Sequence, residues 1–329
     1  YNEGLKCFLD KDFICSRSCF SNIVNSDQYS NLTVESAYYY LFLSALNSYH
    51  SDTEYLFENF IQKFPLSNRH NDAKFYMSKY LFEKKKFKDV VNMMSQVNLY
   101  HYSNSRQKEV FFYLGYSAYK IHDYDLAKNS FYELTSGFMT KYSEDAMFYN
   151  SHILFIENKL DLALSGFESL ANSKKYSKEV PYFISSILSI TNEYQTLVNY
   201  LDPLLISADF SNYQDLVLFQ AKSFYHLEEY DQSIAYFEEY KQLNPILTRD
   251  QLYQIGFAYY KKGLYGFAIN HLNKITISAN DSLAQYAFYY LGDSYLKIEN
   301  QIEALNAYRS ASLIEKDSLI QHDAFYQFV

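Results

Sequence analysis

Small, aromatic and polar positions recur along the chain on a period of about thirty-five residues. Leu291-Gly292…Tyr295…Ala304…Tyr308…Ala311 is the clearest copy, and Leu114-Gly115…Tyr119…Tyr124…Ala127…Phe131 and Ile255-Gly256…Tyr259…Tyr265…Ala268…Leu272 repeat it. Within each copy the apolar residues stand three and four apart, the spacing of one face of a helix. Short polar breaks such as Lys262-Gly263-Leu264 and His122-Asp123-Tyr124 divide each copy into two helices. A fixed period of this size marks a stack of similar units rather than a chain folded around one centre.

Taking the small residue of each first helix as an anchor places repeats at Gly4, Ser44, Ser78, Gly115, Ser151, Ser185, Ala221, Gly256 and Gly292, with spacings of 34 to 40 residues. Twelve places after the anchor a second small residue stands at Ser16, Ala127, Ala163, Ser233, Ala268 and Ala304. Four further on comes a large one, at Phe20, Phe131, Phe167, Phe237, Leu272 and Tyr308. Helices approach most closely where side chains are small, so these positions are expected to set the crossing within a hairpin. The large residues are expected to fill the gaps to the next hairpin. One hairpin cannot bury its apolar face alone, so neighbours must stack. Pro245 stops one hairpin before the next begins, since proline cannot continue a helix. Three units depart from the pattern: Leu56 replaces the small residue after Ser44, Val90 and Met94 follow Ser78, and Leu197 and Leu201 follow Ser185, with Pro203 inside the same helix. That last unit is expected to form a joint over residues 185–210 within a single array covering 1–329.

Composition supports helices joined by short turns. Only 8 Gly and 4 Pro punctuate 329 residues, too few for a many-stranded β protein. Aromatic content is high, with 37 Tyr and 27 Phe but no Trp. A net charge of −9 argues against a nucleic-acid partner, since phosphate binding needs a clustered positive field. The one basic run, Lys84-Lys85-Lys86 with Lys88, falls in an expected turn and reads as solvated surface. The longest apolar run, Tyr38 to Leu46, is too short to span a bilayer. The chain starts inside a first helix and ends on Asp323-Ala324-Phe325-Tyr326, which resembles the start of another repeat, so it reads as a piece of a longer protein.

Catalytic patterns are missing. The sequence contains no Gly-rich phosphate loop, no H-E-x-x-H and no G-x-S-x-G elbow. No two of the eight histidines stand three or four apart, as helix-borne metal ligands would. Cys7, Cys15 and Cys19 show no C-x2-C spacing and read as small buried fillers; Cys15 and Cys19, four apart on one helix, are poorly placed to bridge each other. No enzyme activity, cofactor or metal is expected.

The small, aromatic, small, aromatic pattern resembles the tetratricopeptide repeat over essentially the whole chain. The resemblance implies an all-α, right-handed superhelical solenoid of about nine antiparallel helix hairpins. Segments such as Asp72-Ala73-Lys74-Phe75-Tyr76, Glu144-Asp145-Ala146-Met147-Phe148-Tyr149, Glu179-Val180-Pro181-Tyr182 and Asp281-Ser282-Leu283-Ala284-Gln285 look like tetratricopeptide proteins of Bacteroidota. Phe60-Ile61-Gln62-Lys63-Phe64-Pro65 is similar to a stretch of outer-membrane-assembly lipoproteins, which implies a periplasmic, cell-envelope adaptor.

In such a stack the first helices line the concave side. Positions three before, one after and four after each anchor share a face by the 3.6-residue period. They give a candidate groove of Phe75, Phe82, Phe112, Tyr116, Tyr119, Phe148, His152, Phe155, Tyr182, Tyr225, Tyr253, Phe257, Tyr260 and Tyr289. Large, stiff rings suit an extended peptide or a helix of a protein partner. Aromatic residues at helical spacing are also the ordinary material of a core, so packing competes with binding at each position. Alanine at Tyr116 or Tyr260 is expected to weaken partner binding with thermal stability almost unchanged. Six acids, Asp72, Glu109, Asp145, Glu179, Asp215 and Asp250, are expected in first turns, where the helix dipole favours negative charge. The resulting expectation is a non-catalytic scaffold. A spacer between other domains and a substrate-recruiting part of an enzyme are its rivals.

Overall fold

The computed structural model describes residues 1–26, 28–207, 209–275 and 280–329. Among these it contains nineteen α-helices, one 3-10 turn at Leu99–His101 and no strand. The helices follow one another as hairpins: α1 (Asn2–Leu9) with α2 (Phe13–Val24), α3 (Asn31–Asn47) with α4 (Thr53–Lys63), α5 (His70–Glu83) with α6 (Phe87–Met94), and α7 (Asn104–Lys120) with α8 (Tyr124–Thr135). Next come α9 (Ser143–Ile156) with α10 (Leu160–Glu168), α11 (Val180–Ile190) with α12 (Tyr194–Leu205), and α13 (Tyr213–His226) with α14 (Tyr230–Leu243). The last pairs are α15 (Arg249–Lys261) with α16 (Tyr265–Leu272) and α17 (Ser282–Lys297) with α18 (Gln301–Ser312), followed by α19 (Ser318–Phe328). No helix among the described residues is long and apolar enough to cross a membrane.

The chain divides into two compact units, Tyr1–Gly166 and Phe167–Val329, the division falling within α10. In the first unit the anchors Gly4, Ser44, Ser78, Gly115 and Ser151 are all buried; in the second, so are Ser185, Ala221, Gly256 and Gly292. Phe20, Phe131, Phe167, Phe237, Leu272 and Tyr308 are at most 2% exposed. The departing residues Leu56, Val90, Met94, Leu197 and Leu201 are buried as well, so larger side chains fill the same positions. Pro203 lies in the last turn of α12, where its missing N–H removes only one helical bond.

The large residue does more than the expectation. It covers its own anchor as well as meeting the next hairpin, where Phe20 stacks on Tyr40 at 5.5 Å. A Cβ added to Gly115 would stand 2.8 Å from Phe131, one on Gly256 2.9 Å from Leu272, and one on Gly292 2.7 Å from Tyr308. The bare backbone of the first helix thus accepts a ring or branched chain from the second. The small residue twelve places on can also serve the next hairpin: the Ser16 and Ser44 hydroxyls meet at 2.8 Å in a buried contact.

Every hairpin turn is built alike. Lys11, Tyr49, Lys85, His122, Asn158, Asn192, Glu228, Gly263 and Glu299 all have positive φ. Each is followed by an amide that donates five residues back, from Asp12 to Cys7 at 2.8 Å through Asn300 to Tyr295 at 2.9 Å. This is the Schellman closure, which satisfies a helix's last carbonyls through one left-handed residue. Only Gly263 occupies that conformation without a Cβ penalty, which is about 1 kcal/mol or more for other residues. Glu228→Gly and Glu299→Gly should therefore each raise stability by about 0.5–1 kcal/mol, and Gly263→Ala should lower it by about 1 kcal/mol. The shift in chemical denaturation midpoint checks both signs.

The cysteines correct the sequence reading. None is fully buried, and Cys7 on α1 is disulfide-bonded to Cys15 on α2, with Cα atoms 5.8 Å apart. Cys15 reaches across the hairpin, where geometry permits a bridge, and not along its own helix to Cys19.

Candidate partner-binding face

Thirteen of the fourteen groove residues are half-buried, and each stands on a first helix. The exception is Phe75. It is 1% exposed and belongs to the core. Tyr102 packs edge-on against it at 5.8 Å, and the Arg106 guanidinium lies 4.9 Å from its ring centre. The connection between α6 and α7 closes over this position, so Phe75 is withdrawn from the groove.

In the first unit the remaining rings lock onto one another. Phe82 contacts Tyr113 at 4.7 Å and Tyr116 at 5.3 Å, and Phe112 stacks on Tyr142 at 4.6 Å. Tyr149 meets Tyr116 at 5.1 Å and Tyr119 at 4.9 Å. The Tyr119 hydroxyl lies 3.1 Å from His152 Nδ1. Burial, aided by the Lys120 ammonium, holds the His152 imidazole below its ordinary pKa and so neutral at pH 7. Phe148 packs on Tyr149, and Phe155 is half-buried near the end of α9.

In the second unit Tyr182 faces Phe219 at 6.0 Å, and Tyr225 meets Phe257 at 6.0 Å. Phe257 in turn stacks with Tyr253 at 5.9 Å and meets Tyr290 edge-on at 4.8 Å. Tyr260 contacts Tyr290 at 5.0 Å and donates its hydroxyl to Asp293 at 2.7 Å. Tyr289 donates to Asp323. Burial and these carboxylate partners push the Tyr260 and Tyr289 hydroxyls upward, so both stay protonated.

Rings outside the three groove offsets tie these faces together. Tyr113, Tyr149, Phe183, Phe219 and Tyr290 all stand two residues before an anchor, as do Phe42 and Tyr76. From there Tyr149 stacks on Phe131 of the preceding hairpin, and Phe183 stacks on Phe167 at 4.7 Å. An aromatic at that one offset in most repeats was the signal.

These contacts also correct the expected effect of alanine at Tyr116. Its ring has five aromatic neighbours, Phe82, Phe87, Phe112, Tyr119 and Tyr149, so truncation removes packing as well as surface. Tyr260→Ala would likewise strand Asp293 without one of its donors.

Two members of the acid row hold neighbouring repeats together. Asp72 accepts from Arg106, and Glu109, which lies in the second turn of α7 instead of the first, accepts from Lys79 at 2.7 Å. Asp145 is 7% exposed, too buried to screen a ligand. Similar pairs span one repeat at Arg17–Asp52, Lys128–Glu157, Arg249–Asp281 and Lys262–Asp231. At partly exposed sites each contributes little alone, roughly 0–1 kcal/mol. Cations border the ring faces instead: Lys120 lies 5.2 Å from the Tyr116 ring and Lys261 5.4 Å from Phe257.

No protein-family model and no curated protein matches the chain. Solved structures do match. One is YrrB, a tetratricopeptide protein described as having an unusual peptide-binding site. It is 19% identical, covers 61% of this chain and 100% of its own, and superposes with a TM-score of 0.51. Another is the C-terminal part of a tetratricopeptide repeat-containing protein from Cytophaga hutchinsonii, 14% identical, covering 78% of this chain and 99% of its own at a TM-score of 0.54. The chain has the tetratricopeptide-repeat fold. The anchor and the positions twelve and sixteen residues on are buried throughout the array, and most copies keep a small residue at the first of these and a large one at the second.

Proposed function

We propose that this tetratricopeptide array is a non-catalytic scaffold that holds an extended segment of a protein partner against the ring faces of its first helices. One observation carries the reading: thirteen groove residues are half-buried, most of them held ring to ring, and each keeps part of its surface open. A side chain already ordered by its neighbours loses little entropy when a partner covers the rest, so its remaining apolar area is available for affinity. Lys120 and Lys261 at the borders favour a segment that offers acidic or carbonyl groups beside its apolar side chains. Peptide binding is described for YrrB, whose fold this chain shares.

The test is selection of binding peptides from a random library on the intact chain, followed by affinity measurement on variants. Tyr116→Ala and Tyr260→Ala should each weaken the selected peptides about 30-fold, the equivalent of about 2 kcal/mol for a buried aromatic anchor. Tyr132→Ala, on the exposed side of α8, should leave affinity unchanged. Circular dichroism at the assay temperature confirms that each variant is folded. Peptides that bind all three variants as tightly as the parent chain contradict the proposal.

A further inference from the structure

Cys15 and Cys19 stand one helical turn apart on α2, so their side chains share a face. Cys7 comes to that face from α1 across the tight turn at Lys11. The three Sγ atoms all lie within 4.8 Å of one another. Sulfurs bound to one ion at about 2.3 Å stand roughly 3.8 Å apart, inside that envelope. All three cysteines are partly exposed, so an ion can reach them from solvent.

We propose that Cys7, Cys15 and Cys19 form a three-thiolate site for a thiophilic d10 metal ion, opened by reduction of the Cys7–Cys15 bridge. The donor set is sulfur alone, which selects Cu(I) or Zn(II) over the oxygen-seeking Mg(II) and Ca(II). Ligands at i and i+4 of one helix grip a single ion from one face, and here Cys7 supplies the third from the facing helix. Cys15 is the third residue of α2, where the helix dipole favours an anionic ligand, and its amide is fixed by a 3.0 Å bond to Asp12. Reduction comes first: a dithiol gives up two electrons and two protons, closing to its own disulfide, and Cys7 and Cys15 become thiols. The ion then displaces the three thiol protons. While the bridge is closed only Cys19 keeps a thiol, so occupancy follows the redox state of the hairpin.

The experiment titrates the full chain, reduced and freed of dithiol under anaerobic conditions, with Zn(II) and with Cu(I), each competing against a chromophoric chelator. At least one of the two should bind with a stoichiometry of one, and its affinity should fall about 100-fold in Cys19→Ser and in Cys7→Ser. Binding of Cu(I) without Zn(II) identifies a three-coordinate site, and binding of both identifies one that adds a solvent ligand. Cys19→Ser leaves the bridge pair and the hairpin intact, so its loss of binding cannot be ascribed to unfolding; circular dichroism verifies this. The oxidised chain should bind neither ion. Failure of the reduced chain to bind either ion, or equal affinity in Cys19→Ser, overturns the proposal.

Discussion

Replacing Phe131 with alanine is expected to destabilise the first unit by about 3–5 kcal/mol, the cost of emptying a buried aromatic site. The ring is 0% exposed and lies directly over Gly115, whose backbone cannot collapse into the space because α7 is held on its other side by Tyr113 and Leu114. Tyr149 stacks on the same ring and would lose that surface too. The account makes a stricter demand of the pair. Gly115→Val alone should be destabilising, because its side chain would enter the ring, but in the Phe131→Ala background it should cost less or restore stability. A favourable coupling of about 1 kcal/mol or more is expected from denaturant unfolding of the four chains. Strictly additive costs would show that the two positions do not touch.

Gly292→Val is expected to cost about 3 kcal/mol through overpacking. Three atoms of the Tyr308 ring would stand 2.7, 2.7 and 2.9 Å from the new Cβ. That ring cannot swing aside, since it is 2% exposed and its hydroxyl is held by Asp293. Gly266 supplies the contrast. It lies in α16 with nothing within 4 Å of an added Cβ. Gly266→Ala should therefore stabilise the second unit by about 0.5 kcal/mol, from helix propensity alone. Thermal melts of the two variants, moving in opposite directions, would show that the anchor glycine is required by the neighbouring ring and not by the helix.

The repeat was legible because packing positions recur as residue sizes. Gly, Ala or Ser at the anchor and a large apolar residue sixteen places on are visible in one dimension, and all of them are buried. Which partner each ring would choose was not visible, since spacing along the chain gives a helix face but no neighbour. Phe75 shows the same limit: its helical angle matches the other groove residues, but Tyr102 of the connection after α6 and Arg106 at the start of α7 lie over it. Turn chemistry was hidden as well. Eight of the nine left-handed closures use Lys, Tyr, His, Asn or Glu, so the glycine that usually marks such a turn appears only at residue 263. The cysteine cluster is hidden in the sequence because only Cys15 and Cys19 share a helix. Cys7, the third member, is brought in by the hairpin itself.

The central claim is that the half-buried rings of the first helices are where a partner lies. Site-specific photo-crosslinking tests it most directly, with a benzophenone side chain placed at residue 116, at 257 or at the control position 132 on α8. The account predicts that a selected peptide is captured from 116 or 257 and not from 132. Capture from 132, with none from the ring positions, would contradict it.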